Sequence, residues 1–315
     1  MKKDFWKNKK VLVTGGYGFL GTKVIQKLKD RGAGQVIVVD IRDYDLTKEK
    51  DVQKLFEDNK DMDLILHLAG DVGGIGYNKK YPGKVYYNNI MMNTLIMEYA
   101  KRNKVKKFVG IGSVCAYPKF APIPFKEDDL WNGFPEETNA TYGLAKKMAL
   151  VQGQSYRQEF GFNAIHLLMI NLYGPGDSVD LENSHVIGAL IRKFIEAKNN
   201  GQKEVVAWGT GKASREFLYV DDAAEAILLA AENYNGEEPV NIGAGFEITI
   251  RDLVNLIAEL TGYSGKIIWD ASKADGQPRR CLDVSKAKAF GFSARTSFKD
   301  GLKKTIDWYL EAVKK

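Results

Sequence analysis

Val11-Leu-Val-Thr-Gly15-Gly-Tyr-Gly18-Phe-Leu-Gly21 is the most informative stretch of this chain. A short β-branched run (Val11, Val13) ends in glycines at 15, 18 and 21, and apolar residues then recur at helical spacing: Leu20, Val24, Ile25 and Leu28. A glycine-rich turn is common by itself; strand, glycine turn and helix in succession is the setting in which the spacing has chemical meaning. Gly15 lets the chain turn sharply, Gly18 lets the backbone approach a pyrophosphate, and Gly21 lets helix and sheet pack closely. The helix that opens at Phe19 and Leu20 offers unpaired N–H groups and a partial positive charge to phosphates.

Downstream, a second apolar run, Gln35-Val-Ile-Val-Val-Asp40, ends in a carboxylate. A dinucleotide-binding fold places there, about 20 residues beyond the glycines, the acid that accepts hydrogen bonds from the adenosine ribose. A carboxylate at Asp40 repels the 2′-phosphate of NADP and so argues for NAD. Arg42, two residues on, points the other way, since a guanidinium can bind that phosphate or stack on adenine.

The pattern continues along the chain. Strand-like runs at Val11–Thr14, Val36–Asp40, Leu64–Leu68, Phe108–Ile111 and Ala164–Ile170 alternate with helical segments. That order implies an α/β fold with a Rossmann-type, doubly wound parallel sheet covered on both faces. After Asn171-Leu-Tyr-Gly-Pro-Gly the character turns helix-rich, with fewer strands. The expected division is a dinucleotide-binding domain over 1–172 and a smaller C-terminal α/β substrate domain over 173–315, with one or two segments returning to the first. Within the latter, Asn241-Ile-Gly ends a strand, and Thr249-Ile-Arg-Asp252 reads as a capping box opening a helix that Gly262 stops.

The 315 residues are 44% hydrophobic and 27% charged, ordinary for a globular enzyme with a full core. A net charge of +6, spread along the chain, suits an anionic small-molecule substrate; without a basic arm or aromatic-basic repeat, nucleic acid is not an expected partner. Only Cys115 and Cys281 occur, with neither disulfide nor zinc spacing, which implies no metal and a reducing, cytoplasmic setting. The N-terminal Met-Lys-Lys-Asp-Phe-Trp-Lys-Asn-Lys-Lys lacks the apolar core of a signal peptide, and no run reaches membrane-span length, so no membrane is expected.

Catalytic chemistry concentrates in one segment. Tyr142 and Lys146 stand four apart in Thr-Tyr-Gly-Leu-Ala-Lys-Lys, so a helix sets both on one face. An ammonium beside a phenol is expected to pull its pKa from about 10 towards neutrality, letting it act as acid or base on a carbinol oxygen. Tyr44 and Lys48 share the spacing, but in a turn. The distinguishing partner is Ser113, which ends the buried run Phe-Val-Gly-Ile-Gly and can point its hydroxyl into the cofactor crevice.

These motifs, with Leu66-His-Leu-Ala-Gly70, resemble the extended short-chain dehydrogenases/reductases, the NAD-dependent epimerase/dehydratase family, over essentially the whole chain. The resemblance is closest to the GDP-L-fucose synthase branch. It is carried by Val72-Gly-Gly-Ile-Gly, Gly112-Ser-Val-Cys-Ala-Tyr-Pro-Lys119, Asn171-Leu-Tyr-Gly-Pro, Leu181-Glu-Asn-Ser-His-Val186, Trp208-Gly-Thr-Gly with Arg215-Glu-Phe, and Asp275-Gly-Gln-Pro-Arg-Arg280. It implies hydride chemistry at sugar C4 on a GDP-hexose by Ser113, Tyr142 and Lys146, with Cys115 and His185 as the acid/base pair that epimerises C3 and C5. On residue chemistry alone Cys115 reads as core filler and His185 as a helix cap. The resemblance further implies cofactor contacts from Phe19, Leu20, Leu68, Ala69 and Gly70, and substrate contacts from Asn171, His185, Lys193, Trp208, Arg215 and Arg280, the arginines and lysine near the diphosphate. It also implies a homodimer in which helices over Val85–Arg102 and Thr141–Phe160 build a four-helix interface.

The departure from the branch is Asp40, because its reductases use NADPH and their second strand tends not to end in an acid. The alternative is an NAD-dependent GDP-sugar 4-epimerase, 4-dehydrogenase or 3,5-epimerase that keeps its cofactor bound. A dinucleotide sensor without catalysis is disfavoured by the intact Ser113, Tyr142 and Lys146.

Overall fold

The computed structural model describes residues 4–178, 185–273 and 275–312; Leu181–Ser184 of the motif Leu181-Glu-Asn-Ser-His-Val186 lie outside them. The first half alternates as its apolar runs require: β1 (Lys10–Thr14), α1 (Phe19–Asp30), β2 (Gln35–Val39), α2 (Glu49–Asp58), β3 (Leu64–His67), α3 (Ile75–Lys80), α4 (Pro82–Arg102), β4 (Lys107–Ser113), α5 (Ala140–Phe160) and β5 (Ala164–Met169). The second half is built of shorter pieces: β6 (Asn171–Tyr173), α6 (Val186–Asn199), β7 (Glu204–Trp208), β8 (Ser214–Arg215), β9 (Phe217–Tyr219), α7 (Val220–Asn233), β10 (Val240–Ile242), β11 (Ile248–Thr249), α8 (Ile250–Thr261), β12 (Lys266–Asp270), α9 (Ser285–Ala289) and α10 (Phe298–Ala312).

One sheet in the order β10-β5-β4-β3-β1-β2 organises the larger lobe, and every pairing in it is parallel. Parallel strands are buried on both faces, and β3 and β5 are buried at every residue. The side-chain period of two divides the core. Val11 and Val13 of β1 join Val24 and Leu28 of α1 and Ile227 of α7 on one face, while Leu12 joins Val52, Leu55, Ile96 and Met97 of α2 and α4 on the other. Strand order reverses between β1 and β3. Their carboxyl ends therefore open a crevice, the place where such sheets hold ligands.

Chain from beyond 172 re-enters this lobe, since β10 extends the sheet beside β5 and α7 packs on α1. The smaller lobe closes around Tyr173, Ile191, Phe194, Phe217, Leu253, Ile257 and Ile306, where α6, α8 and α10 cover the two-strand pairs β6–β9 and β7–β12. The capping box forms as read: the Thr249 hydroxyl accepts the Asp252 N–H at 3.0 Å, and the helix ends at Gly262 with φ +69°. More strands occur here than the helix-rich reading anticipates. They are two to five residues long, and β7 carries Glu204 and Trp208 at its exposed positions, so hydropathy marks it weakly.

Candidate active site

At the crevice floor the ends of β1 and β3 are cross-tied. Thr14 Oγ1 lies 2.7 Å from His67 Nδ1 and accepts the Ala69 N–H at 3.2 Å. Gly15 follows at φ +67°, where a Cβ would stand 2.8 Å from the Ala69 nitrogen, so Leu68 and Ala69 border the glycine turn. A Cβ on Gly21 would lie 2.2 Å from the Gly15 carbonyl oxygen. α1 begins against this turn with Gly18 as N-cap and no side-chain cap, so its first N–H groups, from Phe19 onward, are offered to a ligand. The bare helix end, tight glycines and Asp40 beyond β2 fit the pyrophosphate and adenosine of a nicotinamide dinucleotide.

Asp40 is not a free carboxylate. Arg42 donates Nε–H to its Oδ1 at 2.8 Å, Nη2–H to its Oδ2 at 3.1 Å and its backbone N–H to Oδ1 at 2.9 Å. The hydrogen bonds from Arg42 hold the Asp40 carboxyl below the ordinary range, and Arg42 itself stays 85% exposed.

Ser113 ends β4 and accepts the Cys115 N–H at 3.2 Å, which turns the chain into a short 3-10 turn over Val114–Ala116. α5 comes close because residue 143 is glycine: a Cβ there would sit 2.1 Å from the Cys115 carbonyl oxygen. That approach brings the Tyr142 phenol beside the Ser113 hydroxyl and into the electrostatic reach of the Cys115 sulfur. Lys146 Nζ stands 6.0 Å from the Tyr142 ring centre and under Gly70, where any Cβ would be 3.3 Å from it. The acidified phenol expected from the tyrosine-lysine spacing is corrected here. Burial pushes Tyr142 up and outweighs the opposing pull of the Ser113 hydroxyl, while it pushes Lys146 down to about 8. The phenol therefore keeps its proton. His67 and His166 are buried in strands and held near 3 by that burial, so they are neutral.

Arg280 connects this group to the substrate lobe. Its Nη1 lies 4.0 Å from Cys115 Sγ, while Gln277 accepts from its Nε and Nη2. Arg215 hydrogen-bonds the backbone carbonyls of Ser214 and Asp275, and burial together with Arg280 lowers it to about 10, still a cation at neutral pH. Two partly buried guanidiniums within electrostatic reach of each other are chemically suited to an anion. Glu216, fully buried, accepts the Gly245 and Leu282 N–H groups at 2.8 and 2.7 Å and so clamps the segments that carry Arg215 and Arg280.

The remaining candidates divide. Trp208, 69% exposed, ends β7 with Lys273 Nζ 6.0 Å from its ring centre, and Lys193 reaches the Val206 carbonyl on the same strand. Asn171 instead spends its amide on the Glu216 carbonyl at 3.1 Å, joining β6 to β9. His185 caps α6 and lies 3.6 Å from Asp177 Oδ1; no described contact ties it to Cys115. The sequence reading missed Gly143, Asp177, Glu216 and Gln277. Gly143, Glu216 and Gln277 stood inside recognised motifs without a role of their own, and Asp177 stood outside them.

Among the described residues no helix is long and apolar enough to cross a membrane, and no three His, Cys, Asp or Glu residues group as metal ligands. The profile described as "NAD dependent epimerase/dehydratase family" matches residues 11–243. The chain is 43% identical over 307 residues to GDP-L-fucose synthase 1 of Arabidopsis thaliana, covering 98% of this chain and 95% of the relative. A crystal structure of a GDP-L-fucose synthetase from Naegleria fowleri bound to NADP superposes with a TM-score of 0.88 at 29% identity, covering 98% and 96% of the two chains. That of a GDP-6-OMe-4-keto-L-xylo-heptose reductase from C. jejuni gives 0.91 at 28% identity and 99% coverage of both.

Proposed function

The chain belongs to the NAD dependent epimerase/dehydratase family, and we propose that it works as a GDP-L-fucose synthase: a nicotinamide-dependent reductase at C4 of a GDP-linked 4-keto-6-deoxyhexose that also epimerises C3 and C5. The observation that carries this reading is the convergence of the Ser113 hydroxyl, Tyr142 phenol, Cys115 thiol and Arg280 guanidinium beside the glycine cradle.

When bound, the reduced dinucleotide supplies the hydride that C4 accepts. Tyr142 gives its proton to the C4 oxygen, a task that a phenol kept protonated by burial suits, and the Ser113 hydroxyl steadies the same oxygen. Lys146, an ammonium below about pH 8, stabilises the phenolate left behind. Before reduction, the C4 ketone acidifies the C–H bonds at C3 and C5. Cys115, as its thiolate, takes a proton from one face and becomes the thiol, the electron pair passes to the C4 oxygen, and it returns to carbon as His185 delivers a proton on the other face. Arg215 and Arg280 hold the diphosphate, and the exposed face of Trp208 offers a surface for the purine.

NADPH is the proposed cofactor, in place of the NAD that Asp40 suggests taken by itself. Asp40 occupies two of the five guanidinium N–H groups of Arg42, and the others remain for a 2′-phosphate. The NADP in the Naegleria relative supports the same choice. A homodimer is proposed through α4 and α5, which pack together and leave Tyr86, Tyr87, Met148 and Val151 exposed.

Purified protein given GDP-4-keto-6-deoxymannose and NADPH should oxidise the cofactor and form GDP-L-fucose. Turnover with neither NADPH nor NADH would overturn the assignment.

A further inference from the structure

We propose that Asp177 is a positioning residue for His185, fixing the orientation of its imidazole and holding it in the protonated form that returns a proton to the sugar. The proposal rests on the epimerising role given to His185 above.

Asp177 closes the turn Gly174-Pro-Gly-Asp, in which Gly174 and Gly176 take φ of +150° and +98°. The turn lies over the start of α1, where a Cβ on Gly176 would be 3.7 Å from the Phe19 ring. This geometry tucks the Asp177 side chain inward until 8% remains exposed, yet its carboxylate meets no lysine or arginine within ion-pair distance among the described residues. Its Oδ1 accepts the Ser178 N–H at 2.8 Å and stands 3.6 Å from His185 Nδ1. A nearly buried carboxylate needs a cationic or donor partner. The imidazole is the cationic partner at hand.

His185 needs the carboxylate equally. As N-cap of α6 it sits at the positive end of a fourteen-residue helix, which opposes a charge on the ring. Partial loss of solvent opposes it too, although the side chain stays 45% exposed. Asp177 works against both and leaves the imidazole more basic than an ordinary histidine; among the described residues it is the charged group that acts on the ring. With Nδ1 turned to the carboxylate, Nε2 is the nitrogen left for substrate. A protonated, oriented imidazole is an acid ready to deliver, complementing a thiolate that first takes.

Titration of the histidine proton resonances tests this in the intact protein. The chain has three histidines, and His67 and His166 stay neutral down to about pH 3, so the signal that titrates near neutrality is His185. It should titrate above the ordinary histidine value and fall in Asp177→Asn. In D2O with GDP-4-keto-6-deoxymannose, the alkaline limb of deuterium uptake at C3 and C5 should move to lower pH in Asp177→Asn. At pH 8 the loss should be about tenfold, with NADPH affinity unchanged. A wild-type signal at or below the ordinary value, or a loss equal at every pH, would overturn the proposal. If wild-type protein takes up no deuterium, the epimerising role falls and the pairing with it; if it does and Asp177→Asn leaves the profile unmoved, the pairing alone falls.

Discussion

Gly21→Ala tests the cradle at its tightest point. The new methyl would lie 2.2 Å from the Gly15 carbonyl oxygen and 2.6 Å from the Gly16 Cα, both backbone atoms that cannot rotate aside. Restoring an ordinary 3.4 Å contact requires α1 and the glycine turn to part by about 1.2 Å. A hydrogen bond of about 2.9 Å stretched that far is lost. Two N–H groups of the first helical turn withdrawn from phosphate, at about 1.5–3 kcal/mol each, sum to about 3–6 kcal/mol. NADPH binding should weaken by roughly 10²–10⁴-fold, as read by cofactor fluorescence titration or calorimetry. Gly83→Ala is the control, because nothing lies within 4 Å of its Cβ. A folded Gly21→Ala protein that binds NADPH within threefold of wild type would refute the reasoning.

Arg42→Ala should strip the cation from Asp40 and lower kcat/KM for NADPH by about tenfold or more while NADH changes little; an unaltered NADPH:NADH ratio would remove Arg42 from cofactor choice. His67 and His166 sit near 3 in the fold against about 6.5 unfolded, so the unfolded chain binds more protons between those values. Stability should be full above pH 6.5 and fall as pH drops towards 3, with His166→Leu flattening the fall; a melting temperature level from pH 7 to 5 would contradict this. Met148→Glu with Val151→Glu should turn a sedimenting dimer into a monomer, and an unchanged sedimentation coefficient would place the interface elsewhere.

The parts legible beforehand were those where local chemistry allows few solutions. Glycines at 15, 18 and 21 between a strand and a helix admit one packing, and Ser113, Tyr142 and Lys146 gather because parallel strands deliver their carboxyl ends to one crevice. Tyr44 and Lys48 show why spacing alone is insufficient: Tyr44 donates to Asp58 and Lys48 pairs with Asp45, so each is engaged with a carboxylate of its own. What spacing could not give were contacts between distant segments and the balance of opposing terms. Arg42 folds back on Asp40, Glu216 clamps two loops, and Asp177 meets His185 across residues that carry no periodic signal. The phenol is the plainest case. An ammonium four residues away argues for acidity, yet desolvation of the phenolate wins once α5 packs against the Cys115 turn.

The central claim is that hydride reaches sugar C4 against the Ser113–Tyr142 pair. NADPH deuterated at the transferring position of its nicotinamide, incubated with GDP-4-keto-6-deoxymannose, should place one deuterium at C4 of the product sugar. Tyr142→Phe should slow that transfer by about 10²–10⁴-fold while still binding NADPH. Deuterium at any other carbon, or transfer undiminished in Tyr142→Phe, would contradict the account.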